Sequence, residues 1–380
     1  MKRLLPLMLA LCLAGCAAKA PEAPSTVPVE THPPETTLET APETVPETTV
    51  AAEVTETMTL EEKVGQCFLA RMRKETAQAD VSQWNLGGLV LFGRDFDGET
   101  PESLRAFLSD CQSSANIPLL LAADEEGGTV NRISTHPAFR AEPFPSPRSL
   151  FASGGLDLAL SLESEKGYLF QSLGLNVNLA PVCDIALDPN SFLYSRSLGA
   201  DPVTTGKYVA GTLERYAEYG VGGVMKHFPG YGENGDTHTA SVLDERSLRD
   251  LEERDLQPFA AGIRTGLGAV MVSHNRIAAL DGNYPASLSK AVIGYLRGTM
   301  GYDRVIVTDD LSMGALEGFT AEESAVLALQ AGADLLCSTD FEVQIPAVLQ
   351  AVKEGTLAED RINEAVYRIL TWKAQLGLTE

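Results

Sequence analysis

Positive charge is what this sequence most lacks: 29 Lys and Arg stand against 52 Asp and Glu, a formal charge of −23. Nucleic-acid binding needs cations to displace phosphate counterions, so that class of partner is excluded. Cysteine is scarce as well, with six in 380 residues, widely spaced and without any C-x-x-C. A thiolate metal site is therefore not expected, and Cys67, Cys111, Cys183 and Cys337 read as free buried thiols. No G-x-G-x-x-G follows an early strand, which removes the signature of a dinucleotide-binding open sheet. No His-x-His ends the first strand-like run, Cys67–Arg71, as a metal-dependent amidohydrolase barrel needs. Neither a metal nor a cofactor is expected.

What is present begins with an export signal. Lys2 and Arg3 precede a short apolar stretch, Leu4 to Leu13, too short to cross a bilayer as a helix. The string Leu13-Ala14-Gly15-Cys16 then resembles a bacterial lipobox. That resemblance implies removal of residues 1–15 and a lipid anchor on Cys16, with an extracytoplasmic, membrane-anchored protein as the outcome. A plain secretory signal is the alternative. Residues 16–57 are rich in Pro, Thr and Glu and lack aromatics, so they cannot bury enough apolar area to offset ordering. A disordered tether is expected there, and a single folded domain over 58–380.

Thr59 and Glu62 have the spacing of a capping box, which marks a helix start. Beyond it, short apolar runs alternate with longer amphipathic ones. The expected strands are Cys67–Arg71, Gly88–Phe92, Leu119–Asp124, Val177–Pro181, Gly223–His227, Ala269–His274, Val305–Asp309 and Asp334–Ser338. Helical patterns fall at Pro101–Ser114, Thr204–Tyr219, Leu256–Thr265, Ala321–Ala331 and Ala358–Ala374. Continuous apolar strands alternating with helices predict a (β/α)₈ TIM barrel of the α/β class. Asp124, His227, His274 and Asp309 each stand at the carboxyl end of a strand, where such barrels assemble their active sites.

Asp309 and Asp310 close the seventh strand together. Alternation lets only one point inward, and the other is free to cap a helix expected near Leu311. Both could be caps. The chain has only five histidines, and His227 and His238 lie close together in one stretch. His238 follows Asp236 by two residues on a glycine-rich loop, where a carboxylate could fix its tautomer and raise its basicity. An exposed loop histidine is the bland alternative.

Four motifs occur in order: Leu60-Glu61-Glu62-Lys63-Val64-Gly65-Gln66, Asp124-Glu125-Glu126-Gly127-Gly128, Lys226-His227-Phe228-Pro229-Gly230 and Thr308-Asp309-Asp310-Leu311-Ser312-Met313. Together they resemble the barrel domain of glycoside hydrolase family 3, in its single-domain β-N-acetylhexosaminidase branch. The resemblance implies a retaining hydrolase of terminal N-acetylglucosamine, from peptidoglycan or chitin fragments. It implies that Asp309 is the nucleophile and that Asp236 and His238 form the acid/base dyad. It further implies that Asp124, Arg132, Arg196, Lys226 and His227 bind sugar hydroxyls, with His274 beside them. Because the chain ends at Glu380 soon after the eighth strand, the acid is expected from the barrel itself. A carbohydrate is the expected partner, and a monomer the expected state.

Three departures from the family pattern bear on specificity. Thr129 stands where Arg is common, Tyr231 where His is common, and the loop from Gly230 to His238 is about one residue short. The alternatives carried forward are a β-glucosidase, a glycoside phosphorylase using the same site, and a surface lipoprotein that binds glycans without cleaving them.

Overall fold

The computed structural model describes residues 47–238 and 240–379. The signal sequence, Cys16 and most of the expected tether lie outside the described residues. Eight parallel strands form one sheet: β1 (Phe68–Arg71), β2 (Gly88–Leu91), β3 (Leu120–Ala123), β4 (Val177–Asn178), β5 (Gly222–Phe228), β6 (Ala269–Val272), β7 (Ile306–Thr308) and β8 (Leu336–Ser338). Consecutive strands are neighbours from β1 to β7, and β8 returns to pair with β1. The remaining seam closes through a parallel bridge between Val307 and Leu335, and the Asp334 N–H donates to the Ile306 carbonyl at 2.9 Å. The architecture is the expected (β/α)₈ barrel. Every residue of these strands is buried, as helices on the outside and side chains within demand. Gly88 is required where β2 meets β3, because a Cβ there would sit 2.3 Å from the Leu120 carbonyl oxygen.

The capping box forms as expected on α1 (Leu60–Gln66): Thr59 Oγ1 accepts from the Glu62 N–H, and Glu62 accepts from the Thr59 N–H at 2.8 Å. One segment overturns an expectation. Glu47–Thr57, assigned to the disordered tether, is a helix that packs on α2 (Glu359–Gln375), the last helix of the chain, and buries Ala51. Its own sequence is a poor helix former, so docking supplies the stability that propensity does not. Cys67, Cys111, Cys183 and Cys337 are free and buried. Among the described residues no helix is long and apolar enough to cross a membrane.

Two buried charges brace the barrel near the strands' amino ends. Asp334, fully buried, accepts from Arg361 at 2.6 Å, from Arg368 at 3.2 Å, from Arg297, and from the Ile306 N–H. It joins the closing seam to α2. Lys373, also on α2 and fully buried, donates to Gln66 Oε1 at 2.7 Å. Burial alone drives its ammonium from 10.5 down to about 7.

A lysine whose folded pKa lies below its unfolded one destabilises the fold most where it must stay charged. That cost is complete below about pH 7 and fades as pH rises toward 10.5. Lys373→Met should therefore raise the unfolding free energy at pH 6 by roughly 4 kcal/mol more than at pH 10. Urea denaturation at both pH values checks this; an equal difference at the two would mean that Lys373 is not held as described.

Candidate active site

The site is built at the carboxyl ends of the strands. After β3 the chain enters a tight antiparallel turn, Glu125–Gly127 against Val130–Asn131. Gly127 makes this possible with φ of 101°, and a Cβ there would meet the Pro145 carbonyl at 2.4 Å. Alternation along the turn sends Asp124 and Glu126 toward the pocket and Glu125 away from it. Glu125 instead accepts from the N–H groups of Arg132 at 2.9 Å and Ile133 at 2.8 Å, and so shapes the loop.

Glu126 is the centre of the charge network. Lys226, from β5, reaches Glu126 Oε1 at 2.7 Å and Asp124 Oδ1 at 2.6 Å. Arg196, from the loop after β4, grips Glu126 with two hydrogen bonds of 2.7 and 2.9 Å. Burial pushes the Glu126 carboxyl up, but the two cations outweigh it and hold it well below the usual carboxylate range. Burial likewise opposes the charge on Lys226, and Asp124 and Glu126 reverse that and raise its pKa. Arg132 stands at the edge, 3.8 Å from Asp124 Oδ2, with its guanidinium over the Phe92 ring.

His227 is oriented by a buried carboxylate. Asp184 Oδ2 receives the His227 backbone N–H at 3.0 Å and stands 2.8 Å from Nδ1. The carboxylate can only accept, so Nδ1 carries a hydrogen, and Nε2 faces Arg196 Nη2 at 3.3 Å.

Both aspartates after β7 reach the pocket, so strand alternation, which ends at Thr308, does not send one of them away. Asp309 lines the pocket, and its Oδ1 accepts the Asp310 N–H at 2.9 Å. Burial pushes its carboxyl up, but the neighbouring His274 and His227, the Asp310 N–H and His238 outweigh it and hold it below the usual range. Asp310 also reaches the pocket edge, and its carboxylate accepts from the Ser312 N–H and hydroxyl at 2.9 Å each. The helix expected near Leu311 does not form; the chain turns and then makes one short 3₁₀ turn, Gly314–Leu316.

His274 is a correction. Both ring nitrogens are occupied within the protein, Nδ1 by the Ser287 hydroxyl at 2.7 Å and Nε2 by the Asp310 carbonyl at 2.9 Å. It is fully buried and does not line the pocket. Its place is beneath the Asp309–Asp310 turn, not against the cavity. Burial lowers its pKa despite the nearby Asp309; the Asp310 carbonyl at Nε2 can only accept, so that nitrogen carries a hydrogen.

Asp236 and His238 lie on the loop after β5. His238 Nδ1 is 2.6 Å from Asp236 Oδ1, which also accepts the His238 N–H at 2.9 Å. Burial raises the Asp236 carboxyl, but its bonds to His238 prevail and lower it. Both side chains line the same pocket as Asp309, a cavity of about 570 Å³. Apolar side chains line the cavity too, among them Val90, Leu179, Met271 and Met313. The structure thus brings together every expected site residue among those described except His274. Sequence reading missed Glu126 and Asp184. Glu126 lay inside a quoted motif but was indistinguishable from Glu125, and Asp184 carried no signal beyond a carboxylate in an apolar run.

Removing the Glu126 charge leaves Lys226 and Arg196 to repel each other in a buried setting. Glu126→Gln is expected to cost about 3 kcal/mol of unfolding free energy at neutral pH. The sign is that of a depressed carboxylate: the stability is present above its unfolded pKa and lost on acidification. A variant within about 0.5 kcal/mol of the parent in urea titration would contradict the described pairing.

Comparison with known proteins agrees with this geometry. The family model described as "Glycosyl hydrolase family 3 N terminal domain" matches residues 59–372. The beta-hexosaminidase LpqI of Mycobacterium tuberculosis is 32% identical over 341 residues, covering 85% of this chain and 84% of that protein. The solved structure of M. tuberculosis LpqI superimposes with a TM-score of 0.77 at 30% identity, covering 84% of this chain and 95% of its own. A family 3 β-N-acetylglucosaminidase from Paenibacillus sp. str. FPU-7 superimposes with a TM-score of 0.79 at 32% identity, over 84% of this chain. This chain spans 63% of that protein's length. A parallel barrel that carries these four motifs, three of them at strand ends and one on the first helix before β1, and that is matched along nearly all of its length, leaves one assignment: the chain belongs to glycoside hydrolase family 3 and is a glycoside hydrolase.

Proposed function

We propose that this hydrolase removes terminal β-linked N-acetylglucosamine with retention, using Asp309 as nucleophile and His238, paired with Asp236, as acid/base. The observation that carries the reading is a single pocket holding a carboxylate kept ionised and an imidazole kept oriented by another carboxylate. The choice of sugar is supported by similar proteins whose names are beta-hexosaminidase and beta-N-acetylglucosaminidase.

In the first step Asp309 Oδ attacks the anomeric carbon as the glycosidic C–O bond breaks. His238, protonated at Nε2, gives that proton to the departing oxygen, and Asp236 stabilises the charge that the ring carries before transfer. The product is a glycosyl ester of Asp309. In the second step neutral His238 takes a proton from water, the water oxygen attacks the anomeric carbon, and Asp309 leaves as carboxylate. Two inversions give net retention, with one carboxylate and one imidazole replacing the usual pair of carboxylates. Asp124, Arg132, Arg196, Lys226 and His227 bind the sugar hydroxyls. Their mutual ion pairs fix them before the ligand arrives, so little ordering is left to binding.

We further propose export and lipid attachment at Cys16, which would place the enzyme at a bacterial membrane facing peptidoglycan or chitin fragments. Metabolic labelling with palmitate should mark the parent protein and not Cys16→Ala; label in both would remove the anchor.

The catalytic reading is tested with nitrophenyl β-N-acetylglucosaminide and nitrophenyl β-glucoside. The acetamido sugar should be hydrolysed faster, and Asp309→Ala should lose on the order of 10⁴-fold or more in kcat. A 2-fluoro sugar should leave its mass on a peptide containing Asp309. Full activity of Asp309→Ala on either substrate would refute the mechanism, and faster glucoside hydrolysis would refute the sugar.

A further inference from the structure

Between the two members of the acid/base pair stands Thr237, whose side chain points the other way. It is fully buried, whereas the His238 side chain is 56% exposed. Thr237 Oγ1 lies 2.5 Å from the Tyr231 hydroxyl. The Thr237 carbonyl accepts the Ala315 N–H at 3.1 Å. Ala315 belongs to the short turn that follows Asp309, so the loop of the acid/base rests on the loop of the nucleophile.

Tyr231 is itself held firmly. Its backbone N–H donates to Asp184 Oδ1 at 2.8 Å, while the other oxygen of Asp184 holds His227. Its ring packs edge to face on His227 at 5.4 Å and on Phe192 at 5.1 Å. Just before it, the Gly230 carbonyl accepts from Arg246 at 2.8 Å. The start of the loop is thus anchored to the barrel. Its far end has Thr237 as the buried point, with the exposed His238 immediately after it.

We propose that Tyr231 is a positioning residue for the acid/base: its hydroxyl latches Thr237 and thereby holds His238 where the leaving oxygen departs. The proposal rests on the reading of His238 given above. Burial and the charge of Asp309 push the Tyr231 hydroxyl well above its ordinary pKa, so it keeps its proton and the latch does not titrate away.

A general acid matters in proportion to how badly the leaving group needs a proton. Loosening the latch should therefore harm substrates with alkoxide leaving groups far more than those with acidic phenols. A purely structural role would harm both alike. The test compares kcat/KM on N,N'-diacetylchitobiose and on dinitrophenyl β-N-acetylglucosaminide for the parent, Tyr231→Phe, Thr237→Val, Thr237→Ser and His238→Ala, with thermal unfolding of each. Tyr231→Phe and Thr237→Val should lose at least about tenfold on the disaccharide, a small part of what a misplaced reacting group can cost. Their loss on the dinitrophenyl substrate should be several times smaller, Thr237→Ser should stay near the parent on both, and melting should change little. If His238→Ala shows the leaving-group dependence but Tyr231→Phe loses nothing, or loses equally on both substrates, the latch is wrong and the acid/base stands. If His238→Ala itself shows no such dependence, the acid/base assignment falls and the latch with it.

Discussion

Everything at the top of this barrel depends on one buried carboxylate with two cations on it. Glu126 is nearly free of solvent, and so is Lys226. Isolated, either charge in that setting would be very costly. Paired, they define where three separate pieces of chain must be: the turn after β3, the middle of β5, and the loop after β4 that brings Arg196. Asp124 and Glu126 balance Lys226 and Arg196 in formal charge, so the cluster can be buried without drawing in a counterion. The consequence is a rigid polar wall in which each charged group already has its partner and its direction.

The rest of the site divides into a more buried half and a more exposed half. Asp309 sits directly after β7, and its turn is held from below by His274, whose ring bonds the Asp310 carbonyl and the Ser287 hydroxyl. Asp236 and His238 sit on a longer loop with an exposed tip. Under the proposed mechanism, a nucleophile that must reach a carbon in one place gains from the first arrangement. A group that must first deliver a proton and then collect one, as water enters and an alcohol leaves, has use for the second.

Much of the fold was legible because parallel barrel strands are buried on both faces and so read as unbroken apolar runs. All eight were found, although Val177–Pro181 shrank to Val177–Asn178 and other ends moved by a residue or two. The helix at Glu47–Thr57 was not legible, since its Thr and Val residues disfavour helix and its partner lies some 300 residues away in the chain. Position at a strand end pointed to Asp124, His227 and Asp309, which line the cavity, and equally to His274, which does not. Strand-end position says that a residue is near the mouth of the barrel; it does not say whether the side chain faces the cavity or the loop beneath it. Glu126 was hidden for a related reason: in a pair of adjacent glutamates only the backbone of the turn decides which one enters the pocket.

The cavity joins that polar wall to apolar side chains, Val90, Leu179, Met271 and Met313 among them. A pyranose is an amphipathic disc, with hydroxyls around its rim and C–H bonds on its faces. A pocket of mixed character therefore offers surface to both the rim and the faces of such a ring, and so selects shape as well as composition.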